Sequence, residues 1–326
     1  MSEVPMSESF SRTTAVLACV ALTSVLVAGC GDDHEPDPKR GQQWALDALK
    51  LPAAWQTARG DDVVIAVVDT GVDLDHPDLK SRLVRGTDVV DDDSDPTDHN
   101  GHGTHVAGIA AAATDNGVGV AGGAPGAKVM PVRVLTAAGS GSKEDITHGI
   151  LWAAEHGADV INLSLGETGL MAKLLRGGAL NRAITTAHDE GTVVVAAAGN
   201  EGAETQPYRL TTPVLVVGAS DQHGKPASFS NFGAEGAVTA PGVGILSTLP
   251  TYTTPLTRDN ASGYGELDGT SMATPYVSAA AALLHQQGRT PDQIIADLKE
   301  SARNPDHLTE LGLGIVDAQA AVTHGK

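Results

Sequence analysis

Cysteine is almost absent. The chain of 326 residues carries two, Cys19 and Cys30, both in its first tenth, so the body that follows holds no disulfide. Aromatic residues make up 3%, which excludes a core built on large rings; abundant alanine, valine and glycine point instead to close backbone packing through small side chains. Positive charge is scarce as well. With 21 Lys and Arg against 40 Asp and Glu, the formal net charge is −19, which repels nucleic acid and anionic membrane surfaces and favours solubility and cation binding. The length suits one large α/β domain or two modest ones, and 41% hydrophobic content is ample for a core.

Long apolar runs are missing except at the start. Residues 13–29, "TTAVLACVALTSVLVAG", have the length of a signal-peptide core and are marginal for a membrane-spanning helix, although Arg12 is the lone basic residue against Glu3 and Glu8. "LVAGC" resembles the bacterial lipobox, which implies cleavage before Cys30 and lipid attachment to it. An uncleaved anchor or ordinary secretion is the other reading. Each places the protein outside the cytoplasm, in a bacterial cell envelope or secreted. Residues 1–29 are therefore read as a signal peptide and 30–41, rich in charge, Pro and Gly, as the lipidated cysteine with a flexible tether. The folded domain is expected from Gln42 to residue 326, without repeats or a second domain.

Apolar β-branched runs then alternate with helical patterns. Strands are predicted at 63–69, 128–135, 159–165, 192–198 and 213–219; their continuous apolarity marks burial on both faces, hence a parallel sheet covered by helices. Helices are predicted near 103–113, 143–157, 175–190, 271–287 and 292–302. Ser142 with Asp145 three residues on reads as a helix start, and Gly157 as a stop. The fold class is an α/β sandwich.

In such a sheet the chemistry gathers beyond the carboxyl ends of the strands. Asp69 closes "VVIAVVD", Asn200 follows "VVVAAAG", His102 lies in "NGHGTHVAG" beside His99 and His105, and Ser271 lies in "GTSMATP" at the start of an alanine-rich helix. Each alone reads more readily as a turn or cap residue. Together, in the order Asp, His, Ser and each within its extended motif ("DTGVDLDHPDL" for the first), they resemble the subtilisin-like serine proteases over about residues 42–322. The resemblance implies a three-layer sandwich with a mainly parallel, roughly seven-stranded central sheet, and a serine endopeptidase that cleaves protein or peptide substrates through an acyl-enzyme.

It implies roles as well. Ser271 would be the nucleophile, His102 its base and Asp69 the group that fixes the imidazole, while Asn200 and the helix-start N–H would stabilise the oxyanion. Gly139, Ser140 and Gly141 on one side and Ser164, Leu165 and Gly166 on the other would hold the substrate backbone as an added strand. Gly166 with Ala197, Ala198 and Gly199 would line a pocket for a large apolar side chain. A non-catalytic peptide-binding module on the same fold is the alternative, and an esterase side activity a third reading.

Six aspartates lie between positions 88 and 98, a repulsion that a bound cation would relieve. Resemblance to thermitase-like members implies structural Ca²⁺ at Asp88, Asp93 and Thr97. A second family site would use Asp78 and Asn116, with Gln43 as a further ligand. A monomer is expected. Met272, beside the nucleophile, is an expected oxidation target. Tyr276 stands where many relatives have histidine, "TQPYRLTTPVLVVG" departs from the usual pattern near the substrate pocket, and the short stretch between Cys30 and Gln42 implies folding unaided or with help in trans.

Overall fold

The computed structural model describes Met1 and residues 35–165, 178–204, 212–260 and 262–324. Seven strands form one sheet: β1 (Val64–Asp69), β2 (Thr87–Asp88), β3 (Lys128–Arg133), β4 (Val160–Leu163), β5 (Val193–Ala197), β6 (Leu215–Ser220) and β7 (Val238–Pro241). Their order is β2-β3-β1-β4-β5-β6-β7, with every pairing parallel. The five strands expected from apolar runs are its centre. The two that those runs do not reveal are the edges: β2 is a two-residue strand at the acidic segment, and β7 ends on a proline, which edge positions tolerate.

Helices cover both faces, and β1 shows how. Ile65 and Val67 face one apolar cluster with helix α3 (His102–Ala111), whereas Ala66 and Val68 face another with α4 (Lys143–Glu155) and α5 (Ala179–Asp189). The first face also carries α1 (Trp44–Ala48), α2 (Leu51–Ala54), α6 (Thr270–Gln286), α7 (Pro291–Ser301) and α8 (Ala318–Thr323). This is the three-layer α/β sandwich. A strand pair, β8 (Ile245–Thr248) with β9 (Tyr264–Leu267), is antiparallel and stands apart from the sheet.

Local signals account for the helix ends. Ser142 Oγ accepts the Asp145 N–H at 3.0 Å, and Gly157 beyond the end of α4 has φ +87°, the left-handed conformation that stops a helix. Alanine-rich α6 is buried along nearly its whole length, its small side chains allowing β4, β5 and β6 to pack close.

The domain begins earlier than expected. Residues 35–41 are not a free tether: Glu35 bridges to Asn116, the Lys39 N–H donates to the Gly119 carbonyl at 2.8 Å, and Asp37 is buried. The composition of this segment is polar, but the Asp37 carboxylate, the Glu35 carbonyl and the Lys39 N–H are met by the 115–119 loop. Cys30 and Gly166 lie outside the described residues, as does 205–211 within the segment that departs from the family pattern.

Candidate active site

Asp69 is the last residue of β1 and fully buried; His102 is the first of α3. The topology sets them side by side, with Asp69 Oδ1 accepting from His102 Nδ1 at 2.8 Å. A hydrogen held on Nδ1 leaves Nε2 as the free base. Burial works against charge on His102, but the Asp69 carboxylate and the hydrogen bond to it outweigh burial and hold the imidazole above its ordinary 6.5. The Thr70 N–H also donates to Asp69 Oδ1 at 2.8 Å, while buried Oδ2 has no partner among the described residues.

What fixes the start of α3 is Asp98. Gly101, the residue before the helix, has no side chain to cap it. The buried Asp98 carboxylate does that work: it accepts the N–H groups of Asn100 (2.9 Å), Gly101 (2.8 Å) and Thr104 (2.9 Å) and the hydroxyls of Thr70 and Thr104. Among the six aspartates of the acidic run, this one serves the histidine. Its neighbours His99 and His105 serve no such end: His99 is exposed, and burial takes His105 down to about 3 with Nε2 donating to the Gly265 carbonyl.

Ser271 stands in the first turn of α6, where N–H groups have no acceptor within the helix. Its Oγ donates to the Ser164 carbonyl at 3.1 Å. The main chain of Ser271 is held by a different device. Pro275, four residues on, has no N–H to give the Ser271 carbonyl, so that oxygen would go unpaired. Ser164 Oγ donates to it at 2.8 Å. Behind Ser164, Asn162 Nδ2 donates to Ser164 Oγ (2.9 Å) and Ser278 Oγ to Asn162 Oδ1 (2.8 Å), joining β4 to α6 through buried side chains.

Asn200 is oriented from the same helix end. Its Oδ1 accepts the N–H and the hydroxyl of Thr270, which leaves the Nδ2 amino group for the cleft. The loop carrying Asn200 is braced from below by Asn231: Nδ2 donates to the Ala198 carbonyl (3.1 Å) and to Glu201, and Oδ1 accepts Glu201 N–H (3.1 Å) and Ala203 N–H (3.0 Å). Asp98, Asn162, Thr270 and Asn231 were not singled out from the sequence. A polar residue inside an otherwise apolar strand, as Asn162 is in "DVINLSL", was the one available signal.

His102, Gly139, Ser164, Asn200 and Ser271 line a single open cleft of about 350 Å³. Of the expected substrate-binding segments, Gly139 reaches it with φ +77°. Ser140 closes a turn by accepting the Thr136 N–H, and Gly141 lies so close to the Val134 carbonyl that a Cβ there would approach to 2.4 Å. Leu165 and Ala197 are buried, and Gly199 has φ +103° with its N–H on Thr270 Oγ1. Met272 is also buried, although it borders the cleft.

The cation residues fall into two groups. Asp78 is fully buried, accepting Asn116 Nδ2 (3.0 Å), Val120 N–H (2.9 Å) and Tyr264 OH (3.0 Å). Both ends of the Gln43 amide are engaged by the Ala121 backbone. Asp37 lies against the same loop as Asn116, accepting the N–H groups of Asp115 and Asn116. Burial raises the pKa of both carboxyls, Asp115 and Asp78 push Asp37 up further, and neither has an ion-pair partner among the described residues. That donor set fits a hard cation.

Asp88 differs. It pairs with Arg133, which also reaches Asp91 at 2.5 Å, so much of the expected repulsion is met by a guanidinium. Asp93, joined to Asp88 by reciprocal backbone bonds, and Thr97, donating to Asp95 at 2.5 Å, form a more open set.

Comparison with known proteins agrees with this architecture. The subtilase family model, a peptidase family, matches residues 60–317. The chain belongs to that family, and its enzyme class is that of a serine-type endopeptidase, a hydrolase. Thermitase of Thermoactinomyces vulgaris is 44% identical over 262 residues, covering 80% of this chain and 88% of the relative. Subtilisin Savinase of Lederbergia lenta is 41% identical over 282 residues, covering 85% and 97%. A solved structure described as proteases from Pseudoalteromonas arctica PAMC 21717 superposes with a TM-score of 0.77 at 37% identity, covering 89% of this chain and 98% of that one.

Proposed function

We propose that this chain is a calcium-stabilised endopeptidase whose nucleophile is Ser271, held by lipid on Cys30 at a bacterial envelope and acting as a monomer on protein or peptide substrates. The observation that carries the catalytic part is the 2.8 Å bond between Asp69 and His102 at the rim of a cleft that also receives Ser271 and Asn200.

In the acylation step the Ser271 hydroxyl leaves the Ser164 carbonyl, its oxygen bonds to the substrate carbonyl carbon, and its proton passes to His102 Nε2. Asp69 holds the ring in the tautomer that makes this transfer possible and stabilises the imidazolium. The substrate oxygen, now negative, meets Asn200 Nδ2 and the Ser271 N–H, aided by the positive end of α6. Collapse breaks the C–N bond as His102 returns its proton to the leaving amine, and a water hydrolyses the acyl-enzyme by the same relay. Gly139 and the Ser164 side of the cleft hold the peptide as an added strand.

Asp37, Asp78 and Asn116 would hold one Ca²⁺, and Asp88, Asp93 and Thr97 a second; bound there, the ion supplies positive charge to carboxylates and a brace for the loops. Lipid attachment is supported by "LVAGC" before Cys30 and by the absence of any cysteine in the body to pair with it. The charge of −19 supports peptides rather than nucleic acid as partners.

The test is labelling with a fluorophosphonate. Wild type is expected to label and to cleave peptides, and Ser271→Ala to do neither. A wild-type protein that binds peptides without labelling or turnover is instead a binding module on this fold.

A further inference from the structure

Among the described residues few large apolar side chains are exposed; one of them, Leu256, stands in the cleft. It belongs to the connection between β8 and β9, a polar stretch, "TYTTPLTRDN", in which an exposed leucine is out of character. Scattered surface leucines need no explanation. This one is held in place.

The connection is fastened to the segments that carry Asp69 and His102. Asp73 Oδ2 accepts the N–H (2.9 Å) and hydroxyl (2.8 Å) of Thr251, the Tyr252 hydroxyl donates to the Asp98 carbonyl (2.8 Å), and the Leu256 N–H donates to the Asn100 carbonyl (3.2 Å). Within it, Thr257 Oγ1 accepts the Thr254 N–H and donates to the Tyr252 carbonyl, both at 2.7 Å. Gly101, at φ +116°, makes room: a Cβ there would come within 3.0 Å of Leu256 Cβ. A glycine immediately before the histidine lets a leucine from a distant loop seat itself at the cleft wall, 40% exposed, where Leu267 and Met272 also contribute.

We propose that Leu256 is a specificity-determining residue, forming the apolar wall of a subsite that takes a hydrophobic substrate side chain next to the scissile bond. The inference rests on the peptidase reading above. Its physical basis is that a fixed leucine offers a substrate apolar area to bury without ordering a mobile loop first, and burial of that kind discriminates between side chains.

The experiment is cleavage-site profiling of the full chain on a proteome-derived peptide library, for wild type, Leu256→Ser and Leu256→Lys. The serine variant is expected to lose the preference for apolar residues at one position flanking the scissile bond by roughly 10-fold, the scale of one misfit methylene group in an apolar pocket. The lysine variant is expected to favour acidic residues at that same position. Identical profiles from all three, or a uniform loss at every position, overturn the role of Leu256. Fluorophosphonate labelling of wild-type Ser271, run alongside, tests the peptidase reading by itself, so the two failures are told apart.

Discussion

Thr270 donates twice to Asn200: its backbone N–H reaches Oδ1 at 2.8 Å and its hydroxyl reaches the same oxygen at 3.0 Å. An amide whose oxygen is doubly engaged presents its amino group outward, so the residue before the nucleophile decides which end of Asn200 faces the oxyanion. The same hydroxyl accepts the Gly199 N–H at 3.2 Å, tying down the turn from which Asn200 projects. Thr270→Val keeps the shape and removes both hydroxyl contacts. A fall in kcat of about 10-fold with KM little changed is expected, with Thr270→Ser restoring it, since the interaction matters when charge develops. Asn200→Ala removes the donor itself and is expected to cost roughly 10²- to 10³-fold, a magnitude that comes from subtilisin, a member of this family. Steady-state kinetics on a peptide substrate separates these outcomes from a change in KM alone.

The acid limb of activity belongs to His102. As a base it must be neutral, and Asp69 holds its pKa above 6.5, so kcat/KM is expected to fall as pH drops through a midpoint above that value. The stability sign is opposite: a raised histidine stabilises the fold fully below about 6.5, and that increment is lost as pH rises through the folded pKa. Asp69→Asn removes the charge that raises the pKa and the anchor for the tautomer; kcat should drop by about 10⁴. A pH–rate profile whose acid limb lies below 6.5 in wild type contradicts the assignment.

Much of the fold is legible in the chain because β1, β3, β4, β5 and β6 are buried on both faces, and such strands read as largely apolar runs, broken where a side chain such as Asn162 in β4 braces the site. Edge strand β2 is two residues within the acidic segment, and β7 packs beside residues 313–316 with Thr239 and Pro241 interrupting its apolar positions, so no such run marks them. The catalytic candidates could be read because extended motifs surround them. Their supports could not: Asp98, Asn162, Thr270 and Asn231 act through hydrogen bonds to groups brought near by the fold, and nothing in the local sequence separates Asp98 from the five aspartates beside it. Gln43 and Asp37 show the same limit, since both are polar residues before α1 and tertiary contact alone gives the carboxylate, not the amide, to the 115–119 loop.

Calcium should act most strongly where carboxylates are charged. Burial raises the pKa of Asp37 and Asp78, so in metal-free protein their ionisation costs stability as pH rises from about 3.8, the unfolded value, through the folded ones. A bound cation removes that cost. The increase in Tm on adding Ca²⁺ to chelated protein is therefore expected to be larger at pH 7 than at pH 4, and Asp37→Asn should diminish it. Differential scanning fluorimetry in both buffers measures this; a chelator that leaves Tm unmoved at pH 7 removes both sites.

The contact between Ser164 and Ser271 makes a prediction that no single substitution tests. Pro275 cannot donate to the Ser271 carbonyl, and Ser164 Oγ supplies the missing hydrogen bond from β4. Ser164→Ala then leaves a buried carbonyl without a donor, at a cost of about 1–3 kcal/mol in stability, with a loss of kcat because the nucleophile's main chain is no longer fixed. Pro275→Ala returns an N–H to the position from which a helix normally serves that oxygen. In the Pro275→Ala background the loss of Ser164 should matter less, because the carbonyl then has a second donor. Denaturation of the two single variants and the double variant yields the coupling energy, expected at about 1 kcal/mol with the sign of mutual compensation. Strict additivity would mean that Ser164 steadies Ser271 through Asn162 and Ser278 rather than by completing the helix bond that proline withholds.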